Sequence, residues 1–269
     1  MQKHQRHFFL KSLYPFVIGI TCCLFITACS EDSAKIQKKI DSKNTSTQAV
    51  GALSESSSST TNDEKVTTPD KKILNYDLLQ KNIIYGRATL AEVYDALTQD
   101  NAGSLTNTVH ALYNMRWHRG VYHVINDLWA NKIDKHPDFA WDLLQKPPVR
   151  IALASTINRI KIINTDKYIE YIRSYQQDEH EFHRAQVVIA LGFNGETQDI
   201  DYIKSMVNGD NHYVAQSAIS ALSLMNSTQA RDAMAELWKE YRDTEKGDLI
   251  KTLLKKVYKV EPSLTPPNS

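Results

Sequence analysis

The stretch HRAQVVIALG, residues 183–192, decides the reading of this chain, because it returns further along. Sliding the sequence by 31 positions brings Val187 over Ala218 and Leu249, Val188 over Ile219 and Ile250, and Leu191 over Leu222 and Leu253. Positions spaced by three and four share one side of an α-helix, so one helix face is written three times. The segment before it repeats at the same offset. Ile172, Ile203 and Met234 align, as do Tyr175, Met206 and Leu237, and Ile169 aligns with Ile200. Two helices therefore recur as one unit. Ala190-Leu191-Gly192 returns as Ala221-Leu222-Ser223, which keeps a small residue after the packed turn. An earlier copy begins at Val149 if three residues are added before Ile169; it sets Arg150 over Arg184, Leu153 over Val187 and Ile157 over Leu191.

Outward from this core the pattern stays helical, from about Ile73 to Val260. Leu90, Val93, Tyr94 and Leu97, and again Val121, Val124, Ile125 and Leu128, follow the helical period, and strand-like alternation is scarce. An all-α domain is expected. Thr89, Pro137, Pro147-Pro148, Thr165-Asp166, Thr197, Asp210 and Ser227 mark helix starts. Residues 71–136 read as an amino-terminal helical part or irregular repeat, with Leu105, Val109 and Leu112 on a second helix and Trp117 to Trp129 as a longer element. Residues 137–260 read as the repeats proper, and 261–269, with Pro262, Pro266 and Pro267, as a frayed tail.

A helical pair of about 31 residues, whose second helix opens Val-Arg or His-Arg and ends Ala-Leu-Gly, resembles the HEAT repeat in the short form found in phycobilin lyases. The resemblance implies a right-handed α-solenoid of stacked antiparallel helix pairs, whose second helices form a broad concave face suited to holding another protein. The residues it nominates, as exposed positions of second helices, are Arg150, Asn158, His183, Arg184, Gln186, Gln216 and Ser220. The family pattern also implies an Arg ladder between repeats. Arg150 and Arg184 fit it, whereas Ala215 and Lys246 stand at the next equivalent positions. One HEAT-type enzyme class, deoxyhypusine hydroxylase, holds two irons through His-Glu pairs on several second helices. Here His180-Glu181 is a single such pair, so that site is not expected.

The amino end reads differently. Lys3, Arg6 and Lys11 precede an uncharged apolar run from Leu13 to Ala28 that contains Pro15 and Gly19, the layout of a secretory signal at 1–28 and too short for a span of about 20 residues. Its ending, Ile26-Thr27-Ala28-Cys29, resembles the bacterial lipobox. That resemblance implies cleavage before Cys29 and lipidation of Cys29. With Ser30 next to it in a Gram-negative host, it also implies sorting to the outer membrane, facing the periplasm or exposed at the surface. Residues 29–70 then form the lipidated Cys and a tether. Of the 40 residues from 30 to 69, 15 are Ser or Thr, 11 are charged and none is aromatic, a composition that cannot offset its ordering entropy. Such a coil reaches roughly 35 Å.

Composition narrows function. The only cysteines are Cys22, Cys23 and Cys29, so the body of the chain has no thiol for a catalytic nucleophile or zinc site. The net charge of +1 offers no basic excess for nucleic acid, and without residues 1–28 the balance becomes 29 basic against 31 acidic residues. No cofactor and no catalytic set are expected, since no Gly-x-Ser-x-Gly elbow, phosphate loop or His-Glu-x-x-His is present. Two other readings stay open: an envelope enzyme or accessory hydrolase with a site among His110 to His136, and a small-ligand binder using Trp and Tyr. Trp117, Trp129, Trp141 and Trp238 are expected to pack between helices. The favoured expectation is an envelope lipoprotein that binds a protein partner as adaptor, scaffold or assembly factor.

Overall fold

A computed structural model of the chain describes residues 74–160, 166–209 and 211–262. The signal peptide, lipobox, Ser30, tether and most of the tail lie outside the described residues, as do Thr165 and Asp210. Among the described residues the fold is all-α, with twelve α-helices and no strand. These are α1 (Tyr76–Ile84), α2 (Leu90–Ala96), α3 (Ala102–Ala111), α4 (Arg119–Trp129), α5 (Trp141–Leu144), α6 (Pro147–Ile160), α7 (Asp166–Arg173), α8 (Glu181–Asn194), α9 (Ile200–Val207), α10 (His212–Met225), α11 (Thr228–Tyr241) and α12 (Glu245–Leu253). No helix among the described residues is long and apolar enough to cross a membrane.

Local chemistry sets the boundaries. Thr89 opens α2 with a reciprocal capping box, its hydroxyl accepting from the Glu92 N–H while the Glu92 carboxylate accepts from the Thr89 N–H. The side chains of Asn75, Asn101, Asn211, Ser227 and Thr244 accept from the first turns of α1, α3, α10, α11 and α12. Helices α8 and α10 end on left-handed residues, Gly195 at φ 68° and Asn226 at φ 46°, 31 positions apart. Their starts, Glu181 and His212, are 31 apart as well, and both helices have 14 residues.

The second helices of the pairs touch in chain order, α3 with α6, α6 with α8, α8 with α10 and α10 with α12. Each of α7, α9 and α11 packs against the second helix before it and the one after it. The aligned positions explain why. Val188, Ile219 and Ile250 are fully buried, as are Ile172, Ile203 and Met234, and Leu191, Leu222 and Leu253 are buried too. Each such side chain contributes about 1.5–3 kcal/mol on leaving water. The small residue at 192 has a steric cause. A Cβ there would lie 2.6–2.7 Å from the Cα, Cβ and carbonyl oxygen of Ala221, so α8 and α10 approach closely enough to require glycine.

The core divides into two clusters that share α6. Ile151 and Ala154 belong to the carboxy-terminal one, and Val149, Ala152 and Leu153 to the amino-terminal one, which also holds Ile83, Val93, Leu105, Val109 and Ile125. The amino-terminal part departs from expectation in two places. Pro137 starts no helix; the chain turns there and forms only the four-residue α5, so α4, of 11 residues, is the longer neighbour of α6. Trp117 is 63% exposed, although inter-helix packing was expected of it. It follows a 3-10 turn, Leu112–Met115, and its ring lies where a Cβ of Gly86 would be, 2.8 Å away. Trp141 is buried, and Trp129 and Trp238 pack partly buried against the core as expected.

Candidate functional site

The nominated residues fall into two groups once their surroundings are known. Asn158, Gln186 and Ser220 are buried, contrary to the exposure expected of them. A buried polar side chain persists when it finds a hydrogen-bond partner, as Asn158 does where α6 meets α8. Asn158 donates to the Asn194 side chain, tying α6 to α8, and Asn194 donates onward to the Ala190 carbonyl. The Ser220 carbonyl accepts from Ser223 Oγ at 2.7 Å. Arg150, His183, Arg184 and Gln216 are partly exposed.

The basic residues hold backbone carbonyls. Arg150 donates to the carbonyls of Leu128 and Trp129 at 3.1 Å and lies 4.2 Å above the Trp129 ring, at the carboxy-terminal end of α4. Arg184 donates to the carbonyls of Asp178 and Glu179 at 2.6 and 3.0 Å in the turn before α8. Lys246 donates to the Val207 carbonyl at 2.8 Å at the end of α9, with its ammonium over the Tyr241 ring. For Arg150 and Lys246 this fits because the last carbonyls of a helix lack partners and carry the negative end of its dipole; Arg184 instead ties down the turn that leads into α8. These cations sit on carbonyls, one element at a time, in keeping with the departures of Ala215 and Lys246 from a continuous Arg ladder. Asp178 accepts from the His180 N–H at 2.8 Å and faces His183 Nδ1 at 3.1 Å; the His180 N–H, against a smaller effect of burial, holds its carboxyl below the usual range.

A partly exposed aromatic and cationic set lies along the same row of helices. The Arg159 guanidinium of α6 sits between two rings, 3.8 Å from the centroid of Tyr113 and 4.2 Å from that of Phe193 on α8. Phe182 and Phe193 are eleven residues apart, three full turns, and so share one face of α8. Phe182 stacks on Tyr213 of α10 at 6.0 Å, and Gln216, one turn after Tyr213, bonds His212 at 2.7 Å. Phe182 and Tyr213 are themselves 31 positions apart. That recurrence was visible in the sequence but stood outside the apolar register used to find the repeat. Arg159 and Tyr113 carried no such signal, because they meet across two elements of the irregular half.

Beneath this set lies His110 of α3, whose ring packs 5.4 Å from Phe193 and whose two nitrogens are buried. Burial, then the charge of Arg159, push it down to about 3, with the Gln186 side chain pulling the other way. His110 is therefore neutral at physiological pH.

The other histidines of the 110–136 region have separate surroundings. His118 precedes α4, and His123 is exposed beside Tyr122. His136 is buried, stacked 4.7 Å from Phe139 and paired with Asp127 at 3.3 Å. Among the described residues no three His, Cys, Asp or Glu side chains are grouped as a metal ion requires. Compared with known protein families, curated proteins and solved structures, the chain matches none.

Proposed function

We propose that the chain is an envelope lipoprotein whose helix pairs form a right-handed, HEAT-type α-solenoid that holds a protein partner, as adaptor, scaffold or assembly factor. The single observation that carries the solenoid reading is the row α3, α6, α8, α10 and α12 in unbroken contact, with first helices bridging successive members. Pairs that stack by nearest neighbours expose a long surface rather than one closed site.

The face on which the partner sits carries Tyr113, Arg159, Phe182, Phe193, Tyr213 and Gln216, with His183 at its edge. This is the composition of interface hot spots, aromatic and Arg-rich, and the rings are held in place by stacking, so little side-chain entropy is lost on binding. Lipidation of Cys29 anchors the protein, with Ser30 directing it to the outer membrane in a Gram-negative host. The tether of residues 30–69 lets the helical part stand away from the bilayer.

The test is crosslinking of the full chain in native membranes, followed by affinity recovery from wild type and from Arg159→Ala/Phe193→Ala. One crosslinked species present in wild type and lost in the variant supports the reading. The same species from both, or none from either, overturns it. Anchoring is tested separately: Cys29→Ser moves the chain to the soluble fraction and abolishes labelling by a fatty-acid analogue, and continued labelling refutes it.

A further inference from the structure

We propose that the patch formed by α1 and the turn before α4 docks the helical part onto an anionic phospholipid surface. Four large apolar side chains are strongly exposed among the described residues, Leu78, Tyr85, Trp117 and Ile133, and three of them belong to this patch. Leu78 and Tyr85 are seven residues apart, so they lie two turns apart on one side of α1. Trp117 lies across Gly86, the residue after Tyr85, and the Asn114 side chain fixes the turn to α1 by donating to the Ile84 carbonyl at 2.9 Å. Lateral contact between the two segments is therefore built in.

Charge identifies the occupant. The Arg87 guanidinium stands 4.9 Å from the Tyr85 ring centroid, and that of Arg116 stands 5.3 Å from the Trp117 ring. Segments 75–92 and 113–120 carry Lys81, Arg87, Arg116 and Arg119 against Asp77 and Glu92. Glu92 is turned inward to Thr89 and Asn82 by the cap. A positive, aromatic patch thus stands on a chain whose residues from 29 onward carry 29 basic and 31 acidic groups. Trp and Tyr favour the headgroup region, where one edge of the ring is wet and the other apolar, and exposed Arg and Lys pair with lipid phosphates. The patch also begins four residues after Leu74, where the segment that leads back to Cys29 joins the described part. A docked state and a state standing off the membrane would then alternate, and docking would fix which way the partner-holding row faces. The inference rests on the lipoprotein reading only in supplying a nearby bilayer.

The experiment uses the chain from Ser30 onward, which keeps every described residue and cannot be lipidated at Cys29, so failure of the anchor reading leaves the result untouched. It is mixed with vesicles of phosphatidylethanolamine and phosphatidylglycerol, and separately with phosphatidylcholine alone. The expected result is sedimentation with the anionic vesicles only, weakened by salt. A tryptophan blue shift should accompany it and vanish in Trp117→Ser. Arg87→Gln and Arg116→Gln should each lower binding about fivefold, since one cation near an anionic surface is worth about one kcal/mol. Arg87 is exposed, so its variant keeps the test valid if Trp117→Ser fails to fold. Absence of sedimentation with anionic vesicles overturns the proposal. So does binding that survives both Arg substitutions and is instead lost in Lys255→Gln/Lys256→Gln at the other end of the chain.

Discussion

Amino-terminal to α6 the helices run from four to eleven residues, and no two share a length. Carboxy-terminal to it, α7 and α9 have eight residues each, and α8 and α10 have fourteen, the length of α6 itself. Both regions bury aliphatic side chains against the same α6 wall, so hydrophobic burial does not distinguish them. What differs is how position is fixed. In the repeated region the fixing elements recur: the approach at Gly192, the left-handed ends 31 positions apart at Gly195 and Asn226, and the side-chain ties Asn158–Asn194 and Arg173–Asp199 between successive units. In the irregular region it is fixed by single side-chain bonds: Trp141 Nε1 to the His136 carbonyl at 2.7 Å, Gln99 to Thr108 at 3.0 Å, and the Thr89–Glu92 cap.

The largest expected effect breaks the repeated region where α8 meets α10 at Gly192. Gly192→Val drives branched carbons into Ala221, and overpacking against backbone costs about 3 kcal/mol or more. Urea denaturation should show that loss, whereas Gly209→Ala, with its nearest neighbour at 3.5 Å, should stay within about 0.5 kcal/mol. Equal losses at the two glycines would remove the role given to backbone fit.

Next comes the clamp between successive units. Arg173, at the end of α7, donates to both oxygens of buried Asp199 at 3.0 and 2.9 Å and also pairs with Glu196. Arg173→Ala leaves a buried carboxylate uncompensated and should cost about 3 kcal/mol. The double variant Arg173→Leu/Asp199→Leu should recover part of that in thermal unfolding.

A third effect reports the seam where the two regions meet. His110 is pushed down to about 3 in the folded chain, below its unfolded value near 6.5. Above that value the imidazole is neutral in both states and contributes nothing. As pH falls below it the unfolded chain takes a proton that the folded chain refuses, so stability falls with slope up to about 1.4 kcal/mol per pH unit until the folded value is reached. Between pH 6.5 and 5 the loss amounts to about 2 kcal/mol. His110→Phe should flatten the slope over that range; an unchanged slope would show that His110 is already solvated.

The smallest effect belongs to the irregular region. Thr89→Ala removes the α2 cap and should cost about 1 kcal/mol, felt as faster amide exchange in α2 while α8 and α10 keep their protection.

The repeated region was largely legible in the sequence because its rule is periodic: Val187, Ala218, Val188 and Ile219 announce a buried face by recurrence alone. Gly192 was recognised as small, but the Ala221 backbone that makes it necessary belongs to the next unit and is invisible in the local pattern. The irregular region was legible only as helix. Its short α5 and the exposure of Trp117 depend on where non-repeating segments cross. The burial of Asn158, Gln186 and Ser220 escaped for a related reason: polarity suggested solvent, whereas these side chains lie inside the packed helices. Arg150 and Arg184 were picked out correctly as equivalent, and their work proved to be holding carbonyls.

The most direct test of the central claim, that the second-helix row holds a protein, places a photoreactive amino acid at Gln216 on α10 and, in a separate chain, at Lys239 on α11. Irradiation of native membranes should give one discrete crosslinked product from position 216, abolished by Arg159→Ala/Phe193→Ala, and none from position 239. Equal products from both positions, or a product from 216 indifferent to that double substitution, would contradict the account.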